Sequence, residues 1–167
     1  MPFDLPQGPC IFCERIAGER DDWAVIDQDD LTVSWINPAQ FEVGQALVIP
    51  RRHAPTLLDL TEQESVALML SVRRIAQAMV AAFDPDGLTI YQNNGVASLQ
   101  AVPHAHIHVV PRRYGSGWGE GPPHLAALTR AEREERFRRQ AVPIERQAEL
   151  AALAARIRAQ LPVIPNG

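Results

Sequence analysis

The stretch that decides the fold is Val102-Pro103-His104-Ala105-His106-Ile107-His108-Val109-Val110, in which histidines alternate with small or branched apolar residues. Side chains at positions i, i+2 and i+4 of a strand share one face, at intervals of roughly 6.6 Å. The pattern predicts a strand over residues 104–110 with three imidazoles on one surface. Ala105, Ile107 and Val109 would then pack on the opposite surface.

Three histidines in register indicate chemistry, whereas a single histidine on a strand is usually a solvated polar residue. Imidazole is a good metal ligand and a competent nucleophile near neutral pH, so the pattern favours a metal centre or covalent catalysis. Cys10-x-x-Cys13 adds two soft ligands, which with two imidazoles would complete the tetrahedral set that zinc prefers. The alternative is a thioredoxin-like redox pair, which normally follows a strand of a βαβ unit, and no strand is predicted before Cys10.

The elements around the histidines follow from periodicity and turn residues. Residues 10–18 form a predicted helical turn, and strands are predicted over 23–26, 31–36, 45–49 and 88–91, the first three as an antiparallel meander. The Thr61-x-x-Glu64 capping box begins a long helix that ends at Asp84-Pro85-Asp86-Gly87. Its predicted apolar stripe consists of Val66, Met69, Val72, Ala76, Met79 and Phe83.

The composition changes after residue 113. Residues 114–123 are rich in glycine and proline, a capping-box pattern at Thr129 opens a charged helix to about Gln140, and apolar residues stripe a last helix. We therefore divide the chain into a main domain (1–113), a Gly/Pro-rich loop (114–128) and a C-terminal helical extension (129–167). The stripe of the last helix consists of Leu150, Leu153, Ile157 and Leu161.

The length, the net charge and the N-terminal residues limit the classes of protein to which this chain can belong. The 167 residues, 46% of them apolar, suit one globular domain. A net charge of −4 argues against broad binding to nucleic acid, while a small anionic ligand in a local cationic pocket remains compatible. The N-terminus lacks the pattern of a signal peptide, and no run approaches the roughly 18 apolar residues of a membrane span, so we expect no membrane contact and a cytoplasmic location.

An ordered set of motifs resembles the histidine triad (HIT) family over residues 10–113. The resemblance implies an α+β protomer with a five-stranded antiparallel sheet and one long helix, paired as a homodimer; the C-terminal extension would be added to it. The motifs are Cys10-Ile11-Phe12-Cys13, Ile36-Asn37-Pro38, Leu47-Val48-Ile49-Pro50-Arg51-Arg52-His53, Asn93-Asn94-Gly95 and His104-x-His106-x-His108.

The same resemblance implies roles for individual residues. His106 would be the nucleophile, His108 and Asn93 would help hold the phosphate, and Gln100 matches a glutamine of the phosphate loop. Trp35 and Asn37 complete the predicted nucleotide-binding set, with core packing as the favoured alternative for Trp35. The ligands of a structural Zn²⁺ would be Cys10, Cys13, His53 and His104.

The implied reaction needs no catalytic cofactor. A neutral imidazole can attack an α-phosphorus without first losing a proton, giving a nucleotidyl-histidine that water or another phosphate then releases. We therefore expect a nucleotidyl hydrolase or transferase acting on dinucleoside polyphosphates or nucleoside phosphoramidates.

Two departures from the family pattern support a second hypothesis. Leu99 replaces a glycine that lets the backbone approach phosphate, and Ala101 replaces a hydroxyl residue that assists the leaving group. The alternative is thus a non-catalytic nucleotide-binding or protein-interaction protein. A third hypothesis makes the three histidines one catalytic metal centre, which leaves Cys10 and Cys13 unexplained.

Overall fold

The computed structural model describes residues 3–116, 131, 135 and 147–163, and a five-stranded antiparallel sheet forms its centre. The strands are β1 (Val25–Gln28), β2 (Thr32–Ile36), β3 (Ala46–Pro50), β4 (Gly87–Gln92) and β5 (Ile107–Arg112). Their order across the sheet is β1-β2-β3-β5-β4. After β3 the chain therefore passes to the far edge as β4 and returns between the two as β5.

The predicted α+β class and antiparallel sheet are confirmed, and two strands begin two or more residues later than predicted, the first of them at Val25 rather than at residue 23. The first three strands form the expected meander, with an irregularity between Val25 and Asp27. The last strand begins at Ile107 rather than at residue 104. Its register places His108 opposite Leu47 of β3 on one side and opposite Tyr91 of β4 on the other.

Three helices accompany the sheet among the described residues: α1 (Ile11–Ile16), α2 (Glu62–Phe83) and α3 (Gln147–Arg158). The capping box predicted for α2 is present, because the Glu64 amide donates to the Thr61 hydroxyl while the Thr61 amide donates to the Glu64 carboxylate, at 3.2 and 2.8 Å. The helix ends at Asp84, which adopts a left-handed conformation (φ 47°) directly before Pro85.

The apolar stripe of α2 is rotated from the predicted one. Val72, Met79 and Phe83 are buried as expected, but Val66 and Met69 are 60% and 56% exposed. The remaining buried apolar positions of the helix are Leu68, Ile75 and Ala78. The rotation arises because apolar residues occur on more than one side of α2, so spacing alone does not select the face that meets the sheet.

Helix α2 is also long and apolar enough to cross a membrane by length and composition. The expectation that no segment approaches a membrane span was therefore wrong on those two measures. A buried core helix passes the same test, and α2 packs against β2, β3, β5 and α3. This packing accounts for the apolar residues on the buried side of α2, while Val66, Met69, Leu70 and Val80 stay 46–60% exposed.

Different elements pack on the two faces of the sheet. Helices α2 and α3 cover one face and bury its main core, whereas α1 and an aromatic cluster lie on the other face beside the histidines. The second cluster is formed by Phe12, Val33, Trp35, Leu47 and Ile49. The chemistry predicted from the sequence is thus confined to the face opposite α2.

Helix α3 is built into the core. Leu150, Ala154 and Ile157 are almost completely buried, and Arg158 donates to main-chain carbonyls of Val25 and Ile26 in β1. The predicted last helix is confirmed. Of the charged helix predicted from Thr129 to about Gln140 only residues 131 and 135 are described, and most of the 114–128 loop also lies outside the described residues, so the three-part division stays a prediction.

Candidate active site and metal-binding cluster

The three alternating histidines do not share one strand face. His104 lies before β5, where its amide bonds to the Val102 carbonyl and the Ala105 amide bonds to the Ala54 carbonyl. These two hydrogen bonds bend the chain before β5, and the His104 ring faces Cys10 and Cys13 rather than the rings of His106 and His108. His106 and His108 remain neighbours, with ring centroids 5.1 Å apart.

His104 instead joins the cysteines and His53, as the predicted metal site requires. The ligand atoms of the four residues lie within 4.8 Å of one another. His104 Nδ1 is 3.4 Å from Cys10 Sγ and 3.6 Å from Cys13 Sγ, and His53 Nδ1 is 3.3 Å from Cys13 Sγ. Bonds of about 2.3 Å to sulfur and about 2.0 Å to nitrogen would separate ligands around a tetrahedral Zn²⁺ by about 3.6 Å.

The chemistry of this cluster fits a closed cation site. His104 Nε2 donates to the Pro50 carbonyl at 2.8 Å, which leaves a lone pair on Nδ1 facing the sulfurs. Burial lowers the pKa of His104 to about 4, so the ring is neutral and able to ligate. Burial and then Cys10 raise the pKa of the Cys13 thiol to about 12, and a bound cation would favour the thiolate instead.

The same geometry argues against a single centre made of the three triad histidines. His104 faces Cys10 and Cys13, while His106 Nδ1 is engaged by a main-chain carbonyl. The third hypothesis is therefore not supported.

His106 is held with one nitrogen occupied and the other free. Its Nδ1 donates to the His104 carbonyl at 2.6 Å, which places the lone pair of the neutral ring on Nε2. Burial lowers its pKa, with the same carbonyl opposing the shift. The ring is 5% exposed, packs its plane at 86° to that of Phe12, and makes no hydrogen bond through Nε2 with the residues that are described. A neutral, oriented imidazole of this kind can act as a nucleophile.

His108 is held differently from His106. Gln45 Nε2 lies 2.9 Å from His108 Nδ1, and the Tyr91 ring stacks on the imidazole at 4.3 Å with an interplanar angle of 6°. Burial, and then the nearby His106, lower the pKa of His108 well below its ordinary value. Neither Gln45 nor Tyr91 was a predicted site residue, because nothing in their local sequence distinguishes them from other strand residues.

The predicted phosphate-loop glutamine has a full set of main-chain partners. Gln100 is buried, its Oε1 accepts from the Gly95 amide at 2.7 Å, and its Nε2 donates to the carbonyls of Pro55 and Val102 at 2.6 and 3.0 Å. These bonds close the 95–100 loop. By contrast, Asn93 is half-buried and its side chain makes no hydrogen bond with the described residues.

Leu99 adopts a left-handed conformation, which glycine takes more readily than a residue with a Cβ. It has φ 67° and ψ 30°, in the left-handed region, and directly follows the short 3-10 turn Val96–Ser98. A side chain with a Cβ costs about 1 kcal/mol or more in this region. The loop therefore follows a glycine-compatible path in spite of the leucine.

Trp35 and Asn37 were predicted to bind nucleotide, but in the structure Trp35 packs in the core and Asn37 bonds to the main chain. Trp35 is completely buried, with its ring 4.9 Å from that of Phe12 and 5.5 Å from that of Trp23. The predicted nucleotide contact of Trp35 is thus corrected to core packing, because the indole has no surface to offer. Asn37 is also buried, and its amide bonds to the main chain of Ala39 in both directions.

The HIT domain family model matches residues 18–115, which is more than half of the chain. The chain belongs to the HIT family. Within this family, a Bartonella henselae HIT-like protein has a crystal structure that matches with a TM-score of 0.73 and 27% identity, covering 94% of this chain and 100% of that one. A Zn-bound histidine triad protein from Mycobacterium smegmatis matches with a TM-score of 0.62 and 29% identity, covering 90% and 96%.

Characterised HIT relatives carry names of nucleotide-processing enzymes. An adenylylsulfatase, HINT3, from Arabidopsis thaliana is 33% identical over 64% of this chain and 54% of its own length. An adenosine 5'-monophosphoramidase from Schizosaccharomyces pombe is 29% identical over 66% and 81%. A bis(5'-nucleosyl)-tetraphosphatase from the same yeast is 37% identical over 50% and 46%. The chain thus spans about half the length of two of these three relatives.

Proposed function

We propose that this HIT protein is a nucleotide hydrolase or transferase that acts at the α-phosphate, with His106 Nε2 as the nucleophile. The observation that carries the proposal is the hydrogen bond from His106 Nδ1 to the His104 carbonyl, which fixes the tautomer with a lone pair on Nε2. The names of the relatives, a sulfatase, a tetraphosphatase and a phosphoramidase of nucleotides, support the substrate class.

The reaction proceeds in two displacements. His106 Nε2 gives its lone pair to the α-phosphorus, and the bond from phosphorus to the leaving oxygen or nitrogen breaks with its electron pair on that atom, which takes up a proton from solvent. Water, or an ionised phosphate oxygen in a transferase, then forms the new bond to phosphorus, and an attacking water loses one proton to solvent. The phosphorus–nitrogen bond breaks in this step and returns the pair to His106.

The remaining predicted residues take supporting parts. The Asn93 side chain, which makes no hydrogen bond with the described residues, would donate to a phosphoryl oxygen. Gln100 and Asn37 would act through the loops that their side chains close. His108 would donate from Nε2 to the developing charge. Because burial lowers its pKa, this donor is a neutral imidazole rather than the imidazolium form.

The four-residue cluster would hold a structural Zn²⁺ through Cys10, Cys13, His53 and His104. Such an ion supplies a cross-link and no open coordination position. It would tie α1 to the segment after β3 and to the segment before β5. His104 would therefore be fixed on one side by the ion while its carbonyl orients His106 on the other.

A homodimer is proposed from the exposed apolar surface of α2 and β4. Met69, Leu70 and Val80 on α2 and Ile90 on β4 are 46–56% exposed, and β4 is an edge strand of the described sheet. An edge strand can pair with its own symmetry copy about a two-fold axis, which would bring the apolar helix faces together, so we propose that a second copy of this chain covers both. We expect Ile90→Glu to be monomeric in sedimentation and Val163→Glu, at an exposed site beyond α3, to remain dimeric; a monomeric parent protein would refute the proposal.

The cytoplasmic location also stays a proposal. It is supported by the two unpaired cysteines, which a reducing compartment would keep available for a metal. Cell fractionation with a C-terminal epitope would test it, and recovery of the protein in a membrane or secreted fraction would contradict it.

The second candidate function is nucleotide binding without turnover. Leu99 at a position with glycine geometry, Ala101 in place of a hydroxyl residue and the low exposure of His106 favour it. In that case calorimetry would detect AMP binding, while no member of a nucleotide panel would be cleaved.

A turnover assay decides between the two candidates. The purified protein is given an adenosine phosphoramidate, adenylyl sulfate and a dinucleoside tetraphosphate, and AMP release is measured. We expect turnover of at least one substrate and a loss of about 1,000-fold in His106→Asn with unchanged thermal unfolding. AMP binding without turnover would establish the second candidate.

A further inference from the structure

The amide of Gln45 is locked in one orientation beside the candidate active site. The residue directly precedes β3 and is completely buried. The Phe41 amide donates to Gln45 Oε1 at 2.6 Å, so the opposite end of the side-chain amide, Nε2, faces His108 Nδ1 at 2.9 Å. A flipped amide would set its NH2 group against the Phe41 N–H, which leaves two donors facing each other.

This orientation decides which nitrogen of His108 carries the proton. An amide NH2 group can only donate, so His108 Nδ1 must accept, and the neutral ring then carries its hydrogen on Nε2. The Tyr91 ring, stacked parallel to the imidazole, restrains it from the other side. Burial raises the pKa of the Tyr91 phenol, so this neighbour stays uncharged.

The two neighbouring imidazoles are therefore held in opposite tautomers. A main-chain carbonyl accepts from His106 Nδ1 and leaves a lone pair on its Nε2, whereas an amide donor occupies His108 Nδ1 and leaves N–H on its Nε2. One ring can attack phosphorus while the other donates to a phosphoryl oxygen. A His108 free to exchange tautomers would spend part of its time presenting a second lone pair to the same anionic group.

We propose that Gln45 is a positioning residue that holds His108 as an Nε2–H donor for the reacting phosphate. The role rests on the proposed function, since it assigns His108 a partner in that reaction. It goes beyond a packing role because it depends on the polarity of the Gln45–His108 hydrogen bond and not on the volume of the side chain.

The decisive variant is Gln45→Glu, which keeps the shape but reverses that polarity. A carboxylate still accepts from the Phe41 amide, yet it needs a hydrogen on His108 Nδ1. The neutral ring would then lose its Nε2–H, and only the doubly protonated ring would still donate. The titratable side chains in described contact with His108 are His106 and Tyr91, both uncharged in the parent protein.

Two matched controls separate polarity from folding. Gln40→Glu makes the same change at a buried glutamine of the same loop, whose Oε1 accepts from the Gly44 amide and which makes no described hydrogen bond with His108. Gln45→Met keeps much of the volume and removes the hydrogen bond. Its His108 would populate both tautomers.

The experiment reads the tautomer by ¹⁵N NMR of histidine-labelled full-length protein and follows AMP affinity and turnover against pH. We expect protonated Nε2 and bare Nδ1 at His108 in the parent protein and in Gln40→Glu. In Gln45→Glu we expect Nδ1 to be protonated, and AMP affinity and kcat to fall about 10- to 100-fold as rising pH removes the second proton. Gln45→Met should lose several-fold in kcat without this alkaline fall.

Bare Nε2 at His108 in the parent protein, or a Gln45→Glu profile that matches Gln40→Glu, would overturn the inference. Failure of the proposed function is a separate result, in which no substrate is cleaved. The tautomer of His108 by NMR and the pH dependence of AMP affinity would then still test the role of Gln45. The two outcomes are therefore distinguishable.

Discussion

The Nδ1 atom of His106 lies 2.6 Å from the main-chain carbonyl oxygen of His104, the residue that completes the four-membered Cys/His cluster. The proposed nucleophile is thus oriented by the backbone of a proposed metal ligand. His104 and His106 are two residues apart, so we expect a change at the cluster to alter the orientation of the His106 ring.

Removal of a metal ligand should therefore lower both stability and activity. We expect Cys13→Ser to bind Zn²⁺ at least about 100-fold more weakly, to unfold at a lower temperature and to lose part of its turnover, because the His104 carbonyl is no longer fixed. Zinc stoichiometry and thermal unfolding with and without chelator measure this. Glu19→Gln, an exposed change just beyond α1, is the control; equal behaviour of the two variants would contradict the metal assignment.

Leu99 offers a test of backbone strain in the 95–100 loop. At an ordinary position alanine is more stabilising than glycine by about 0.5–1 kcal/mol, but at φ 67° the Cβ is the source of strain. We expect Leu99→Gly to be more stable than Leu99→Ala by about 1 kcal/mol in chemical denaturation. The usual order, with alanine the more stable, would show that the loop does not hold this conformation in solution.

Acid should weaken the start of α2. Arg52 bonds both carboxylate oxygens of Glu64 at 2.7 Å and, with the Thr61 amide, lowers the pKa of Glu64 from 4.5 to about 2. A lowered carboxyl pKa stabilises the fold above the unfolded-state pKa and loses that contribution as pH falls from about 5 to 2. Because Arg52 is half exposed, solvent weakens its ion pair with Glu64. We therefore expect the unfolding free energy to fall by only about 2 kcal/mol over this pH range. Glu64→Gln should remove this part of the pH dependence, and an unchanged stability curve would contradict it.

Helix α3 should contribute to the stability of the whole domain. Ile157 is completely buried against the main core, whereas Val163 is 91% exposed just beyond the same helix. We expect Ile157→Ala to cost about 2–4 kcal/mol of unfolding free energy and Val163→Ala less than about 0.5. If both variants unfold like the parent protein, α3 is not part of the folded core.

The predictable parts of the fold were those set by local sequence. The capping box at Thr61 and the proline after Asp84 fixed the ends of α2 because both act within one turn of the chain. The buried face of α2 was predicted poorly, since Val66 and Met69 satisfy helical spacing as well as Leu68 and Ile75 do. Only the position of the sheet decides between them.

The site was predictable where residue type was informative. The Cys/His ligand set came together as expected. His104 reaches it because the chain bends before β5, where the His104 amide bonds to the Val102 carbonyl and the Ala105 amide to the Ala54 carbonyl, and no local sequence pattern predicts these bonds. Gln45 and Tyr91 were missed because their importance arises from contacts with His108 across three neighbouring strands.

The nucleophilic role of His106 is tested most directly by trapping the covalent intermediate. The protein is quenched in acid-free denaturant within seconds of mixing with a nucleoside phosphoramidate, digested, and mapped by mass spectrometry over its five histidines. We expect one nucleoside monophosphate on the peptide that contains His106, assigned to that ring by fragmentation and absent from His106→Asn. A nucleotide on a different histidine, or full turnover by His106→Asn, would contradict the mechanism.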